Sequence, residues 1–516
     1  MKKKKKIRIL HLGIKSWEEQ LSSKDKDVLE WTYLKIDKTK NKEIEKLLKK
    51  NKKTFDAVLC TDKVDKEILK ILDPLIEAYA IIIDRKLKNK VSEEFKKKKI
   101  PHFMDITQQR EIVDELKKNF FSGQMGSKLH TNVIRINQNF NGRNQVFGES
   151  YLELKGSYET LKGQPLLTWQ HNIGMYGRAK KIWLEFETDE SVEISLTLLK
   201  IKEGGSDVIE KTTYTQEEVK SGIEVPYVNN VGYLSVLLRA KGEGVLKVGP
   251  LHFRDSRHHY GEYILGGQKI TDEKNQELFY YFNPADLKPP LNVYFSGYRS
   301  AEGFEGFFMM KALGAPFLLI TDPRLEGGSF YMGSSTLEEE LIEVIQKHLN
   351  LLGFSKEDLV LSGLSMGTFG ALYYANRLEP GHVIVGKPLV NVGDIADNEQ
   401  LVRPGGFPTS LDILNSLGGE LTKDSVEQLN QRFWTQFSKG KFEDTRFIVA
   451  YMMNDDYDVN AYRDLTAHLS ESEASIISKG IPGRHNDNSP AINQWFLSQY
   501  KRVLREQFHR IKEVEL

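Results

Sequence analysis

Gly363-Leu364-Ser365-Met366-Gly367 lies between an apolar run, Asp358 to Leu364, and a run rich in small residues, Thr368 to Leu378. That order reads as a strand turning sharply into a helix, with a serine on the turn. Glycines two positions before and two after the serine leave room for the turn and for close strand-helix contact. Gly370 and Ala371 keep the facing side of the helix thin. Ser365 then stands beside a helix N-terminus, where backbone N–H groups such as that of Met366 stabilise a developing oxyanion. The pattern is a nucleophile elbow, and a structural turn serine is the plainer alternative.

Strand-like and helix-like runs alternate on both sides of this turn. Asn292 to Phe295, Phe317 to Thr321, Asp358 to Leu364, Val383 to Val385, Arg446 to Tyr451 and Ser475 to Ser478 read as parallel strands. Glu338 to Leu349 reads as a helix opened by a capping box, and Ala491 to Ile511 as a final amphipathic helix. The alternation predicts an α/β-hydrolase fold over 291–516. Residues 254–290, with clustered histidines and tyrosines, are expected to be a connector. Adjacent His258 and His259 point opposite ways on a strand, so no metal site is expected.

Residues 132–253 alternate with period two between Gly/Asn turns, which predicts an antiparallel β-sandwich resembling a carbohydrate-binding module. Trp169, Tyr176, Trp183, Tyr227 and Tyr233 offer a sugar-stacking platform, with core packing the alternative for most of them. Residues 1–122 alternate again, predicting a small Rossmann-like or flavodoxin-like α/β domain. Its first turn, Gly13-Ile14-Lys15-Ser16, lacks the glycines that admit a pyrophosphate. A structural or docking role suits it better.

A serine elbow imposes an order: serine, then acid, then histidine, each on a loop after a later strand. Of 12 histidines, only His468, His485 and His509 lie far enough downstream. His468 and His509 fall in helical runs, whereas His485 sits in the turn-rich Gly480-Ile481-Pro482-Gly483-Arg484-His485-Asn486-Asp487. For the acid, Asn454-Asp455-Asp456-Tyr457-Asp458 follows a strand, and an apolar anchor at Val459 favours Asp456, with Asp455 next and Asp458 third. The second oxyanion donor is expected after Phe295, at Gly297 or Tyr298.

Lys+Arg is 73 against Asp+Glu 72, so charge gives no support to a nucleic-acid partner, although 17 of the first 53 residues are lysine. The single cysteine, Cys60, excludes an internal disulfide and fits a reducing cytoplasm. The lysine-rich start leads to an apolar run broken by Arg8 and His11, unlike a signal peptide. The expected location is cytoplasmic.

With GLSMG, the MMNDDYD loop and GRHND in place, the whole chain resembles the second accessory secretory proteins of the streptococcal and staphylococcal accessory Sec system. The resemblance implies an O-acetyltransferase acting on N-acetylglucosamine of serine-rich-repeat adhesins, and a non-enzymatic part in their export. It implies as partners the first and third accessory proteins, the accessory Sec motor ATPase and the glycosylated adhesin. By motif match, Ser365, His485 and Asp456 or Asp455 take the triad roles. No cofactor is expected beyond an acetyl donor. A carbohydrate esterase and a non-catalytic export scaffold are the competing readings.

Overall fold

The computed structural model describes residues 5–36, 44, 47, 49, 54–401, 410–472 and 474–510. The chain forms two units, one of Met1–Gln124 with Ser256–Gln268 and Asn283–Leu287, the other of Met125–Asp255 with Lys269–Phe282 and Lys288–Leu516.

In the first unit the short apolar runs become a five-stranded sheet. Its strands are β1 (Ile7–Gly13), β2 (Leu29–Lys35), β3 (Ala57–Cys60), β4 (Ile81–Asp84) and β5 (His102–Met104). The order is β2-β1-β3-β4-β5 and every pairing is parallel, the flavodoxin-type winding. Strands β3 and β4 are buried throughout, as a parallel sheet covered on both faces requires. The helix expected over Glu43–Leu48 lies outside the described residues apart from Ile44 and Leu47. In the turn after β1 the Ile14 N–H is already given to Asp62 Oδ2, at 3.0 Å.

In the second unit, the strands before Asp255 are antiparallel and enclose one apolar core. Its spine is a single strand, Val231–Asp255, where the sequence suggests two separate strands, Gly232–Ala240 and Val245–Val248. The first half pairs with Val192–Lys202 and the second with Lys180–Thr188 and Tyr151–Ser157. The change of face falls at Gly242-Glu243-Gly244, where Gly242 has φ 88° and a Cβ would lie 1.9 Å from Ser191 O. Of the proposed platform aromatics, Trp169 and Trp183 are buried, whereas Tyr176 and Tyr227 are exposed. Trp183 donates its indole N–H to Asn275 O at 2.6 Å.

The remaining strands form an eight-stranded sheet in the order 1-2-4-3-5-6-7-8 along the chain. Leu291–Phe295, Phe317–Thr321, Leu359–Leu364, His382–Gly386, Arg446–Met452 and Ser475–Ile481 pair parallel. The connector expected at 254–290 needs correcting, because Gly267–Thr271 and Glu277–Asn283 are the first two strands of this sheet. The second is buried at six of its seven positions, so the apolar run Leu278 to Phe282 is strand sequence. Among the described residues no helix is long and apolar enough to cross a membrane.

Candidate active site

The strand Leu359–Leu364 is buried up to Gly363 and runs straight into the helix Met366–Tyr373, every residue of which is buried. Between them Ser365 holds φ 54° and ψ −124°, a conformation that costs a residue with a Cβ on the order of 1–3 kcal/mol. The surroundings enforce it. A Cβ on Gly363 would lie 2.2 Å from Gly367 O, and one on Gly367 would lie 2.1 Å from Phe295 O. The glycines are thus required by close approach of backbone. The Ser365 N–H donates to Gly386 O at 2.9 Å, and Thr368 returns its N–H and hydroxyl to Ser365 O at 2.9 and 2.6 Å. Met366 opens the helix, so its N–H has no intrahelical acceptor.

Ser365 Oγ lies 2.8 Å from His485 Nε2, across 120 positions of sequence. His485 Nδ1 lies 2.8 Å from Asp455 Oδ2. Asp456, which the spacing favours, does not reach the ring: its Oδ1 accepts the His485 backbone N–H at 3.0 Å. The division follows from the turn. Asp455 Oδ1 accepts the Tyr457 N–H at 2.9 Å, which leaves Oδ2 facing the imidazole. Asp458 is buried elsewhere, accepting the N–H groups of Val390 and Asn391 at 2.8 and 2.7 Å, and so ties down the loop after His382–Gly386. His468 and His509 take no part: His468 sits in the helix Ala461–Glu471, stacked on Trp434.

His485 is fully buried, its ring edge-on to Tyr457 at 4.3 Å. Burial holds its pKa below the ordinary 6.5, and the Asp455 carboxylate opposes that shift. The imidazole is therefore neutral at pH 7, with Nδ1–H directed to the carboxylate and Nε2 able to accept a proton. The loop is anchored on its neighbour, with Met453 N–H on Ile481 O and Asn454 N–H on Gly483 O at 2.9 and 3.1 Å.

The expected oxyanion loop has a feature that spacing did not reveal. The Gly297 N–H donates to Glu305 Oε2 at 2.7 Å, so it is engaged within the loop. A Cβ on Gly297 would lie 3.1 Å from Leu364 O, which puts this backbone against the elbow. Tyr298 lies over Gly327, and its hydroxyl is 3.4 Å from Glu326 Oε1. Buried Asp322 shapes that second loop by accepting from Arg324, from Ser329 N–H at 2.9 Å and from Tyr331 N–H at 3.0 Å. Sequence reasoning missed Glu305 and also Lys387. Burial lowers the Lys387 pKa, Asp455 and Glu305 oppose the shift, and Nζ lies 3.3 Å from Ser489 Oγ. Lys387 directly follows the buried strand His382–Gly386.

Fold and site define a mixed α/β chain with a strand-serine-helix elbow that meets a buried histidine and a carboxylate. The chain belongs to the family of second accessory Sec system proteins, described as the Accessory Sec system GspB-transporter, which it matches over residues 7–510. It is 44% identical to the second accessory Sec system protein of Staphylococcus aureus over 80% of this chain and 79% of that one. It is 37% identical to its counterpart in Streptococcus gordonii over 99% and 100%. A chain of the Glycosylation Associate Protein (Gap123) complex from Streptococcus agalactiae matches with TM-score 0.88 and 37% identity, covering 98% of this chain and all of that one.

Proposed function

We propose that this chain is a serine O-acetyltransferase of α/β-hydrolase type that acetylates N-acetylglucosamine on serine-rich-repeat glycoproteins and serves in their export. The observation that carries the reading is the unbroken line from Ser365 Oγ through His485 to Asp455, with 2.8 Å at each step. In the first half-reaction Ser365 Oγ attacks the carbonyl carbon of the acetyl donor while His485 Nε2 takes the hydroxyl proton. The Met366 N–H, with a second backbone donor from Gly297-Tyr298, holds the oxyanion. Because Gly297 N–H is given to Glu305, Tyr298 N–H is the better placed of the two. Collapse breaks the bond to the leaving group, which receives the proton from His485 and leaves an acetyl ester on Ser365. In the second half-reaction a sugar hydroxyl gives its proton to His485 and attacks that ester, releasing O-acetyl sugar and free serine. Asp455 keeps the imidazole in one tautomer and stabilises its protonated form; Asp456 fixes the backbone that carries the ring.

Membership of the family, and the match to a chain from a three-protein glycosylation-associated complex, support a second, assembly role. In this reading the partners are the first and third accessory proteins, with the motor ATPase and the adhesin as further ones, at the cytoplasmic face of a translocon. The working division is an N-terminal α/β domain, a carbohydrate-module-like sandwich and a catalytic region. The test is Ser365→Ala in the complex with its accessory partners, given an acetyl donor and unacetylated glycopeptide. Transfer should vanish while assembly survives. Acetate release without transfer in the wild type favours an esterase, and undiminished transfer by the variant removes the enzymatic reading.

A further inference from the structure

His130, at the end of the strand Gly126–Leu129, Glu149, in the turn after Arg143–Phe147, and Glu326, in the loop beside Tyr298, each turn one ligand atom to a common point. The three atoms lie within 4.8 Å of one another. From this convergence we infer a binding site for one divalent transition-metal ion, of the zinc or manganese kind, joining the sandwich strands to the loop beside the serine elbow.

Three observations support a metal over an ion pair. First, His130 Nδ1 and Glu149 Oε2 are 3.3 Å apart, yet both atoms are buried and neither makes a hydrogen bond. Two ligands sharing a tetrahedral ion with bonds of about 2.0–2.2 Å sit about 3.3–3.6 Å apart. The pair is thus spaced as two vertices of a coordination shell.

Second, the charges are those of a cation site. Two carboxylates, Glu149 and Glu326, face the one imidazole of His130. The nearby Lys128 ammonium is turned elsewhere: it donates to Pro323 O and Leu325 O and lies 3.6 Å from Glu302. Third, the ligands are oriented from behind. Asn132 Nδ2 donates to Glu149 Oε1 at 2.9 Å, which leaves Oε2 for the ion, and the Glu149 N–H is held by Asp412 Oδ1 at 2.9 Å. Closing the shell needs Glu326, whose ligand atom lies within 4.8 Å of the other two, to rotate inward, with water or substrate at the open position.

The site lies next to the proposed chemistry without belonging to it. Glu326 Oε1 is 3.4 Å from the Tyr298 hydroxyl, and the next residue, Gly327, underlies the Tyr298 ring. A bound ion would therefore fix the wall of the cleft on which Tyr298 rests.

The test is calorimetric titration of ZnCl2 and MnCl2 into the full chain after chelator treatment, with thermal unfolding recorded at each concentration. One equivalent of one of these ions should bind and raise the unfolding temperature. Glu149→Gln and His130→Asn should each weaken that binding about tenfold or more, as loss of a ligand does. His468→Asn, which alters a histidine outside the cluster, should leave it unchanged. Metal-free melting temperatures equal to the parent's show that the variants still fold. Saturable binding that is absent in the parent, or equally tight in folded Glu149→Gln and His130→Asn, overturns the proposal.

Discussion

Two histidines of the second unit are almost fully buried and lean on carboxylates, yet they are built for opposite ends. His485 faces one carboxylate and one hydroxyl, Asp455 and Ser365, and burial keeps its pKa below 6.5. His252 faces two carboxylates, Glu302 at 2.6 Å and Glu185 at 2.8 Å. There burial also disfavours the charge, but Glu302 and Glu185 together outweigh it and raise the pKa to about 9. One acidic neighbour leaves a neutral base that takes a proton only when a reaction supplies it. A second neighbour keeps the ring charged at neutral pH, between two carboxylates. The number of carboxylates at the ring, more than its depth, sets the resting charge of these two buried imidazoles.

The largest effect expected of this contrast is on chemistry. Ser365→Ala and His485→Ala should each lower kcat for acetyl transfer by about 10^6, read with glycopeptide acceptor, while circular dichroism stays unchanged. Next comes the acid: Asp455→Asn should cost about 10^4 in kcat, whereas Asp456→Asn, whose Oδ1 accepts the His485 backbone N–H, should cost less than about tenfold. Equal losses would erase the difference between the two aspartates. On the structural side, His252→Gln removes the imidazolium that lies between buried Glu185 and Glu302. It should lower urea-unfolding stability by about 3–5 kcal/mol. Since the folded pKa of His252 is about 9 against 6.5 unfolded, its contribution is complete below pH 6.5 and fades as pH rises towards 9. The variant should lose that alkaline decline. The smallest effect is a shape: kcat/KM should rise along an acid limb whose midpoint lies below 6.5 and stay flat through neutral pH.

The elbow was legible because its requirement is local. At Gly363 and Gly367 an added Cβ would sit 2.2 and 2.1 Å from a backbone oxygen, and such crowding leaves a sequence pattern. His485 was legible by topology, as the downstream histidine in a loop after a strand. The aspartate was not: two adjacent carboxylates differ only in which one closes the turn onto Tyr457 N–H, and no spacing rule resolves that. Glu305 was hidden because its contact to the Gly297 N–H is made by a loop whose path depends on the sheet. His130, Glu149 and Glu326 carry no motif, since they come from three separate stretches. The strand Glu277–Asn283 was missed for a different reason: its apolar run was in view, but the clustered histidines and tyrosines before it read as a linker.

The most direct test is to quench the wild-type chain rapidly after mixing with acetyl donor and no acceptor, and to map acetylated peptides by mass spectrometry. One acetyl group is expected on Ser365, discharged on adding glycopeptide and absent from His485→Ala. Transfer that proceeds at the wild-type rate with no acetyl group ever on Ser365 would contradict it.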